Sequence, residues 1–263
     1  MSLPAPALDT AALVTGASSG IGAELARQLG GLGHDLVIVA RGADRLEAIA
    51  DEVRRHHGVS VLVVPTDLSK AAPRKRLVDA VRDSEKTIVG LCNSADSSSY
   101  GRVHQLNAKR ESEMVALNVT AVHELTLAFL PAMIERRAGA ILNVSSIAAF
   151  QPLPNVATYA ATKAFVQTFS ESLYGELAGS GVSCTTLASG LGAAELGARM
   201  QIPPEEVAAA AIRGMLRGRR SVIPGVASKA LAAGGRFAPR SVLLPAARRA
   251  ANGGRLGNLR RAA

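Results

Sequence analysis

The sequence predicts an α/β fold in which a doubly wound parallel sheet of about seven strands is covered by helices on both faces. Short runs of β-branched and other apolar residues alternate with amphipathic helical segments from residue 10 to about residue 190. Such alternation is typical of parallel strands joined by crossover helices. Only 3% of the residues are aromatic although 48% are hydrophobic, so the core is predicted to be aliphatic, which suits strands buried on both faces.

The strands and helices are predicted in a strict order along the chain. The strands are expected at Ala11–Val14, Leu36–Ala40, Val59–Val64, Thr87–Asn93, Ala140–Val144, Val182–Ala188 and Ser221–Pro224. The helices between them are expected at Ile21–Leu32, Ala43–His57, Pro73–Asp83, Glu111–Arg137, Asn155–Ala178 and Pro204–Arg217. Pro131 is expected to kink or end the fourth of these helices, because proline lacks a backbone N–H.

A single domain is predicted for residues 1–225, followed by a basic C-terminal extension over residues 226–263. The whole chain has a net charge of +9, yet twelve basic residues and no acidic one follow Glu206. The extension is expected to be a helix broken at Gly234, Gly235, Pro239 and Pro245, and mobile from Gly253 onward. A solvated or oligomer-facing helix is the simplest interpretation, and contact with an anionic membrane surface, nucleic acid or a phosphate-bearing cofactor is the alternative.

Composition also limits the partners and the compartment. The chain has no Trp and few rings to stack on exposed bases, so a sequence-specific reader of single-stranded RNA is disfavoured. The N-terminus lacks a basic segment followed by an apolar one, and no apolar run approaches about 18 residues. Cys92 and Cys184 lie far apart, without the spacing of metal ligands. We therefore expect a cytoplasmic protein with reduced core cysteines and no metal site.

A glycine-rich turn follows the first predicted strand and opens a helix. The motif TGASSGIG spans Thr15–Gly22, and its glycines permit a tight turn that can approach a pyrophosphate closely. Free N–H groups and the positive end of the helix dipole stabilise such a charge. The residues expected at the phosphates of a dinucleotide are Gly16, Ser18, Ser19, Gly20 and Ile21. A tight turn that binds no ligand is the alternative.

The residues after the second and third strands bear on the choice of dinucleotide. Arg41 stands where a site that selects NAD usually has an acidic residue. Its planar guanidinium can pair with a 2′-phosphate, so NADP(H) is predicted in preference to NAD(H). The alternative is a surface arginine paired with a helix charge such as Asp44. Asp67 and Leu68 are expected where the chain passes the adenine ring.

Ser146, Tyr159 and Lys163 are the candidate catalytic residues. Tyr159 and Lys163 are four positions apart in YAATK, so they project from one face of a long helix. Ser146 is expected at the carboxyl edge of the sheet, where open α/β sheets bind ligands. A phenol with an ordinary pKa of about 10 is a weak acid at neutral pH, and a nearby ammonium lowers that pKa. We expect Tyr159 to transfer a proton, Lys163 to assist it and hold the nicotinamide ribose, and Ser146 to orient the substrate oxygen.

TGASSGIG, Asn118, Ser146 and YAATK, in this order, resemble the motifs of the short-chain dehydrogenase/reductase family. The resemblance covers Thr10–Pro224 and implies a Rossmann-type sheet, catalysis by Asn118, Ser146, Tyr159 and Lys163, and homodimers or homotetramers built through two long helices. It also implies that Asn118 anchors a water molecule that relays protons to the lysine. Within the family the chain is similar to reductases of 3-oxoacyl and hydroxysteroid substrates, which implies a hydrophobic ketone or secondary alcohol.

The remaining contacts are assigned along the same site. Asn93, at the end of the fourth strand, is expected beside the adenosine ribose. The substrate side is expected to consist of Ser146, Ala148, Phe150, Leu153 and Tyr159, together with the segment Leu191–Met200. Their small and apolar side chains suit an apolar ligand, and ordinary core packing is the alternative for any one of them.

Two segments depart from the family pattern. The family's Asn-Asn-Ala-Gly appears as Asn93-Ser94-Ala95-Asp96, and its Pro-Gly-x-x-x-Thr appears as Ser189–Ala194 without the proline and the threonine. The carboxylate of Asp96 is expected to disfavour an anionic cofactor, and the second change to weaken nicotinamide binding. An alternative to an active enzyme is therefore a catalytically weakened protein that binds or senses NADP(H). A nucleic-acid or membrane binder acting through the extension is a third hypothesis.

Overall fold

The computed structural model of the protein describes residues 3–190 and 202–252. The strands are β1 (Thr10–Thr15), β2 (Asp35–Ala40), β3 (Val61–Pro65), β4 (Thr87–Asn93), β5 (Gly139–Ser146), β6 (Val182–Ser189) and β7 (Ser221–Val222). The helices are α1 (Gly20–Gly31), α2 (Ala43–His57), α3 (Ala71–Asp83), α4 (Ala108–Val115), α5 (Val122–Glu135), α6 (Ala157–Glu176), α7 (Pro204–Leu216), α8 (Val226–Phe237) and α9 (Arg240–Asn252). A π-helical segment, Ala116–Ala121, joins α4 to α5, and 3₁₀ turns lie at Val103–Gln105 and Ile147–Phe150.

The strands form one parallel sheet in the order β3-β2-β1-β4-β5-β6-β7. The prediction of a doubly wound, Rossmann-type sheet is therefore confirmed. The strand order reverses between β1 and β4, so the connections that follow these two strands pass to opposite faces of the sheet. A crevice opens at such a reversal, and ligands of this fold class bind in it.

Helices cover both faces of the sheet, and the core is aliphatic as predicted. One buried cluster contains Leu25 of α1 and Ile212 of α7, which pack on one face. The other contains Leu77 of α3 and Leu125 of α5, on the opposite face. Because each strand between them is buried from both sides, the apolar runs in the sequence are nearly continuous rather than alternating.

Both cysteines are free thiols buried in the core. Burial raises the pKa of Cys92 to about 12. Burial also raises the pKa of Cys184 to about 12, although a hydrogen bond with Ser170 acts in the opposite direction. Both thiols are therefore protonated and unreactive at neutral pH.

The helix predicted over Glu111–Arg137 differs from the observed one. It begins at Ala108, contains the π-helical segment and ends at Glu135. The proline at position 131 lies inside α5 and does not end it. The carbonyl that loses its helical partner to this proline is that of Leu127, which is solvent-exposed, so water can satisfy it.

The C-terminal extension forms two helices with one break between them, at Ala238 and Pro239. Gly234, Gly235 and Pro245 were expected to interrupt it, yet α8 continues through both glycines and α9 through the proline. A Cβ at Gly235 would lie 3.0 Å from the carbonyl oxygen of Phe150. The glycine thus lets α8 pack closely on the Ile147–Phe150 turn, and this packing outweighs the low helix propensity of glycine.

Some expectations concern residues that the structure does not describe. The mobile tail from Gly253 and the wall segment Leu191–Met200 lie outside the described residues. The division of the chain at residue 225 stays a prediction. The stretch Ala108–Glu135 is long and apolar enough to cross a membrane, a test that core helices also pass, and its α5 part packs on β4 and β5.

Candidate active site

A cleft of about 1090 Å³ opens at the carboxyl edge of the sheet, beside the reversal between β1 and β4. It is lined by the β1–α1 turn, by the ends of β2 and β3, by the loop after β4 and by α4. Seven of the predicted cofactor residues line it, namely Gly16, Ser18, Ser19, Ile21, Arg41, Asp67 and Leu68. Gly20, Asn93, Tyr159 and Lys163 are not among its lining residues.

The glycine-rich turn is closely packed against the loop after β4. Gly16 has a φ of +69°, and a Cβ there would lie 2.8 Å from the Cα of Ala95. A Cβ at Gly22 would overlap the carbonyl oxygen of Gly16. The hydroxyl of Thr15 accepts the N–H groups of Ser94 and Ala95, each at 3.0 Å. Only glycine fits at both positions, and the turn is thereby held in one shape.

The N-terminus of α1 fits the predicted pyrophosphate. The N-cap residue, Ser19, makes no side-chain capping hydrogen bond, and the first turn of the helix contains no acidic residue. N–H groups without a capping side chain, and the positive end of the helix dipole, suit an anionic ligand. Together with the close-packed glycines, this is the geometry that a dinucleotide requires.

The arginine predicted at the 2′-phosphate lies at the rim of the cleft. Among the described residues, Arg41 makes no ion pair, and in particular none with Asp44, so its guanidinium is available. Arg45, in the first turn of α2, lines the same region. Sequence reasoning missed this second arginine.

Asp67 lies in the cleft in a charged state. Burial alone would raise its pKa, but hydrogen bonds from the hydroxyl and the N–H of Ser69, at 2.7 and 3.0 Å, and the charges of Lys70 and Arg41 lower it on balance. The carboxylate is therefore an acceptor at neutral pH. Beside it, Leu68 is buried and offers an apolar surface.

Asn93 is directed into the protein interior. Its amide nitrogen donates to the side-chain oxygen of Asn143 at 2.9 Å and, at 3.5 Å, to the hydroxyl of Thr126. The side chain thus ties β4 to β5 and α5. Any contact with an adenosine ribose would fall to the main chain of Asn93, and that role stays a prediction.

The end of β5 and the start of α6 bring the candidate catalytic residues together. Lys163 is only 2% exposed, and its Nζ donates to the carbonyl of Val144 at 3.0 Å. The same atom lies 5.6 Å from the centre of the Tyr159 ring. Ser146 is buried at the end of β5, and its hydroxyl accepts the N–H of Ala148 at 3.2 Å. A phenol, an ammonium and a hydroxyl therefore meet at this edge of the sheet.

Asn118 lies in the π-helical segment, a feature that often marks functional sites. Its side-chain oxygen accepts the N–H of Ser97 at 3.0 Å, and its nitrogen donates to the carbonyl of Ser97 at 2.8 Å and to the hydroxyl of Thr162 at 3.1 Å. Both amide hydrogens are thus in use. Asn118 thereby fixes the loop after β4 against α6. The predicted anchoring of a water molecule would then have to come from the main chain of Asn118.

Asp96 contacts both members of the tyrosine–lysine pair. Its Oδ1 lies 3.0 Å from Nζ of Lys163, and the hydroxyl of Tyr159 donates a long hydrogen bond of 3.4 Å to its Oδ2. The side chain is 35% exposed and lines the cleft. Sequence reasoning identified Asp96 only as a departure that would repel a cofactor. No local pattern indicated the contact with a lysine so distant in the sequence.

An apolar cluster surrounds the ring of Tyr159. It contains Met114, Ala148, Val156, Tyr159 and Ala160, with Tyr100 and Leu153 packed against it. Two residues of the predicted substrate wall, Ala148 and Leu153, are thus close to the phenol. Phe150 lies outside this cluster, and its carbonyl accepts a hydrogen bond from Arg240 of α9 at 3.4 Å. Sequence reasoning missed Met114 and Tyr100, because the segments that contain them come close to Tyr159 only in the folded chain.

The chain is similar to proteins of a known family. The model of the short chain dehydrogenase family matches residues 10–202. A very-long-chain 3-oxoacyl-CoA reductase of Anas platyrhynchos is 34% identical over 184 residues, which are 67% of this chain and 58% of that protein. This chain therefore spans less than two thirds of that relative's length.

Solved structures show the same likeness along nearly the whole chain. A short-chain dehydrogenase from Sphingobium yanoikuyae in complex with NADPH has a TM-score of 0.76 at 30% identity, over 93% of this chain and 95% of that one. The bulky-bulky ketone specific alcohol dehydrogenase from Comamonas testosteroni has a TM-score of 0.74 at 30% identity, over 93% and 94%. The family match, these structures and the observed sheet agree, and the chain belongs to the short-chain dehydrogenase family of oxidoreductases.

Proposed function

We propose that the protein is an NADP(H)-dependent oxidoreductase that interconverts a hydrophobic ketone and its secondary alcohol. The observation that carries this proposal is the contact of Lys163 with Tyr159 at the end of β5. Val144 and Asp96, the two residues that contact Nζ of Lys163, line the cleft, which also contains the glycine-rich turn and Arg41. The site thus combines a proton-transfer group with a dinucleotide-shaped cleft.

Each side chain has a role in this reaction. When bound, NADPH supplies the hydride for the carbonyl carbon. Tyr159 donates the proton to the carbonyl oxygen, and the ammonium of Lys163 stabilises the phenolate that remains. Ser146 holds the same oxygen through its hydroxyl. Asn118 acts through its contacts with Ser97 and Thr162, which keep the loop after β4 and α6 in register.

The cofactor contacts follow the lining of the cleft. We assign the pyrophosphate to Gly16, Ser18, Ser19, Gly20 and Ile21, the 2′-phosphate to Arg41, the adenine to Asp67 and Leu68, the adenosine ribose to Asn93, and the nicotinamide ribose to Tyr159 and Lys163. A related structure in complex with NADPH supports this cofactor. The lack of an ion-pair partner for Arg41 in the part of the chain that the structure describes supports the phosphorylated form over NAD(H).

The proposed substrate class rests on the apolar cluster at Tyr159. Met114 and Tyr100 of this cluster line the cleft and give this end of the site apolar side chains, which favours a ketone with hydrophobic substituents. Two of the compared proteins are named for such substrates, a bulky ketone and a 3-oxoacyl thioester. The proposed wall also includes Ser146, Phe150 and the segment Leu191–Met200.

A titration of the purified protein with NADPH and with NADH tests the proposed function. We expect NADPH to bind at least tenfold more tightly, or by about 1.4 kcal/mol. Arg41→Asp is expected to remove this preference, because a carboxylate repels the 2′-phosphate and can accept a ribose hydroxyl. The measurement is the fluorescence of the bound nucleotide.

Arg55→Ala is the matched control for this titration. Arg55 lies on α2, outside the cleft, and bonds to the carbonyl of Asp51, so its removal should leave both affinities unchanged. Failure of the parent protein to bind either nucleotide would contradict the proposed function. If Arg41→Asp kept the same preference for NADPH over NADH as the parent, the role assigned to Arg41 would be contradicted. The proposed function itself would not be.

A catalytically weakened NADP(H)-binding or sensing protein is the second candidate. Asp96 favours it, because its carboxylate occupies one donor of the lysine that is proposed to hold the nicotinamide ribose. The two candidates differ in one outcome. The sensing protein would bind NADPH but oxidise none of it in the presence of a panel of hydrophobic ketones.

We infer that the protein is a homodimer or homotetramer. Leu127 and Ile134 of α5, and Phe165 and Tyr174 of α6, are exposed apolar side chains on the two long helices, and a second copy would bury them. Light scattering should give a mass of two or four chains, and a monomer would contradict the inference. A cytoplasmic location, no nucleic-acid partner, and peripheral membrane contact through the basic extension stay predictions.

A further inference from the structure

We propose that Asp96 is a positioning residue that pairs with Lys163, keeps Tyr159 in its protonated form and thereby adapts the site to carbonyl reduction. This inference rests on the proposed function, because it concerns the same tyrosine and lysine. It adds a direction to that function, from ketone to alcohol. It also gives Asp96 a role that differs from simple repulsion of a cofactor.

The geometry shows one carboxylate bridging two groups. The two oxygens of Asp96 bond to different partners, Oδ1 to Nζ of Lys163 at 3.0 Å and Oδ2 to the hydroxyl of Tyr159 at 3.4 Å. Nζ also donates to the carbonyl of Val144 at 3.0 Å. Among the described residues, two of the three N–H bonds of the ammonium are therefore in use, which leaves one for a ligand.

The burial of Lys163 gives its ion pair with Asp96 a strong effect on the charge of the site. Lys163 is 2% exposed, and a buried ammonium is costly unless a negative charge lies close to it. Asp96 is the carboxylate in contact with it among the described residues. The ion pair therefore replaces a lone positive charge beside the phenol with two charges that largely offset one another.

The charge balance decides which form of Tyr159 is favoured. An ammonium alone stabilises a phenolate, whereas a neighbouring carboxylate opposes it. A carboxylate oxygen also accepts hydrogen bonds only, so its bond with Tyr159 exists only while the phenol keeps its proton. A protonated phenol can donate to a carbonyl oxygen, and it cannot remove a proton from an alcohol. The bridge thus keeps Tyr159 in the form that reduction requires, up to a higher pH.

Among the described residues, other charged groups line the cleft and a neighbouring groove. From α4, Arg110, Glu111 and Glu113 line the same cleft, with Glu113 bonded to Lys70 at 2.7 Å. Arg41, Arg45 and Asp67 line its adenosine end, and Arg102 and His104, on the loop after β4, line a separate groove. β5 has no charged residue, and α6 has none besides Lys163 before Glu171.

Proton and hydride are balanced in the reductive step. The O–H bond of Tyr159 breaks as an O–H bond forms on the substrate oxygen, while the carbonyl carbon is reduced by the hydride of NADPH. Tyr159 then regains its proton from solvent. Asp96 takes no net proton in this cycle and acts only through its charge and its hydrogen bond.

The test compares the parent with Asp96→Asn, which keeps the shape of the side chain and removes its charge. The phenolate absorbance of tyrosine is recorded against pH in the ultraviolet. The chain has three Tyr and no Trp, so the signal is simple, and subtraction of the Tyr159→Phe version of each protein isolates one tyrosine. We expect this phenolate to form about one pH unit or more lower in Asp96→Asn.

Kinetics give a second readout. With acetophenone and 1-phenylethanol as the probe pair, the alkaline limb of the kcat/KM profile for reduction should move to lower pH in Asp96→Asn. The acidic limb of the kcat/KM profile for oxidation should move to lower pH by a similar amount. Asp79→Asn is the control, since it makes the same chemical change in a carboxylate that pairs with a lysine, Lys75, at 3.0 Å on α3, outside the cleft; neither readout should change in it.

The outcomes separate this inference from the proposed function. Formation of the phenolate at the same pH in the parent and in Asp96→Asn would overturn the inference, even if the parent reduces ketones. A parent that binds NADPH but reduces no ketone would contradict the proposed function. The absorbance titration would still decide the role of Asp96, because it needs neither cofactor nor turnover.

Discussion

Tyr159→Phe is expected to lower kcat by roughly 10² to 10⁴-fold, the usual contribution of a positioned acid–base group. The substitution removes the hydroxyl that donates the proton and keeps the ring, which packs with Met114 and Ala148. The fold and the glycine-rich turn are therefore expected to persist. The measurement is kcat for ketone reduction at saturating NADPH, together with the NADPH dissociation constant, which should change by no more than a few-fold.

The same helix offers a matched control. Tyr174 also lies on α6, but it is exposed and is not part of the cleft. Tyr174→Phe makes the same chemical change away from the site and should leave kcat unaltered. Turnover by Tyr159→Phe at the rate of the parent would refute the assignment of Tyr159 as the proton donor.

Gly22→Ala is expected to lower the free energy of unfolding by at least about 1–3 kcal/mol, the usual cost of overpacking. The added Cβ would overlap the carbonyl of Gly16, which is backbone and cannot rotate away. The turn would have to open, so NADPH affinity should fall by more than tenfold. Urea unfolding followed by circular dichroism measures the first effect, and nucleotide fluorescence the second.

Gly175→Ala is the control for this substitution. Gly175 is also helical, near the end of α6, and a Cβ there would meet nothing within 4 Å. Alanine should therefore raise stability by about 0.5–1 kcal/mol through its better helix propensity. If Gly22→Ala had the same free energy of unfolding and the same NADPH affinity as the parent, the close packing of the turn would have no role in the site.

The sequence predicted the parts of the fold that depend on local patterns. The bounds predicted for β4 and α2, Thr87–Asn93 and Ala43–His57, are those observed. Long apolar runs and amphipathic periodicity suffice for such elements, because burial on both faces or on one face leaves a distinct pattern. The glycine-rich turn was recognisable for the same reason, as strand, turn and helix follow one another directly.

Other features depend on contacts between distant segments. Gly234 and Gly235 have low helix propensity, yet α8 continues because Gly235 packs against the carbonyl of Phe150. The π-helical segment at Asn118 has the same apolar spacing as an ordinary helix, so periodicity alone did not distinguish it. The contact of Asp96 with Lys163 requires the fold itself, since it joins the loop after β4 to α6.

The loop that carries Asp96 is anchored on both sides of that residue. Before it, the N–H groups of Ser94 and Ala95 are held by Thr15, and after it both main-chain groups of Ser97 are held by Asn118. The backbone at position 96 is therefore independent of the side chain it carries. A single substitution at position 96 can therefore change the charge there while the backbone of the loop stays in place. The pH range in which such enzymes reduce or oxidise can thus diverge without any rebuilding of the pocket.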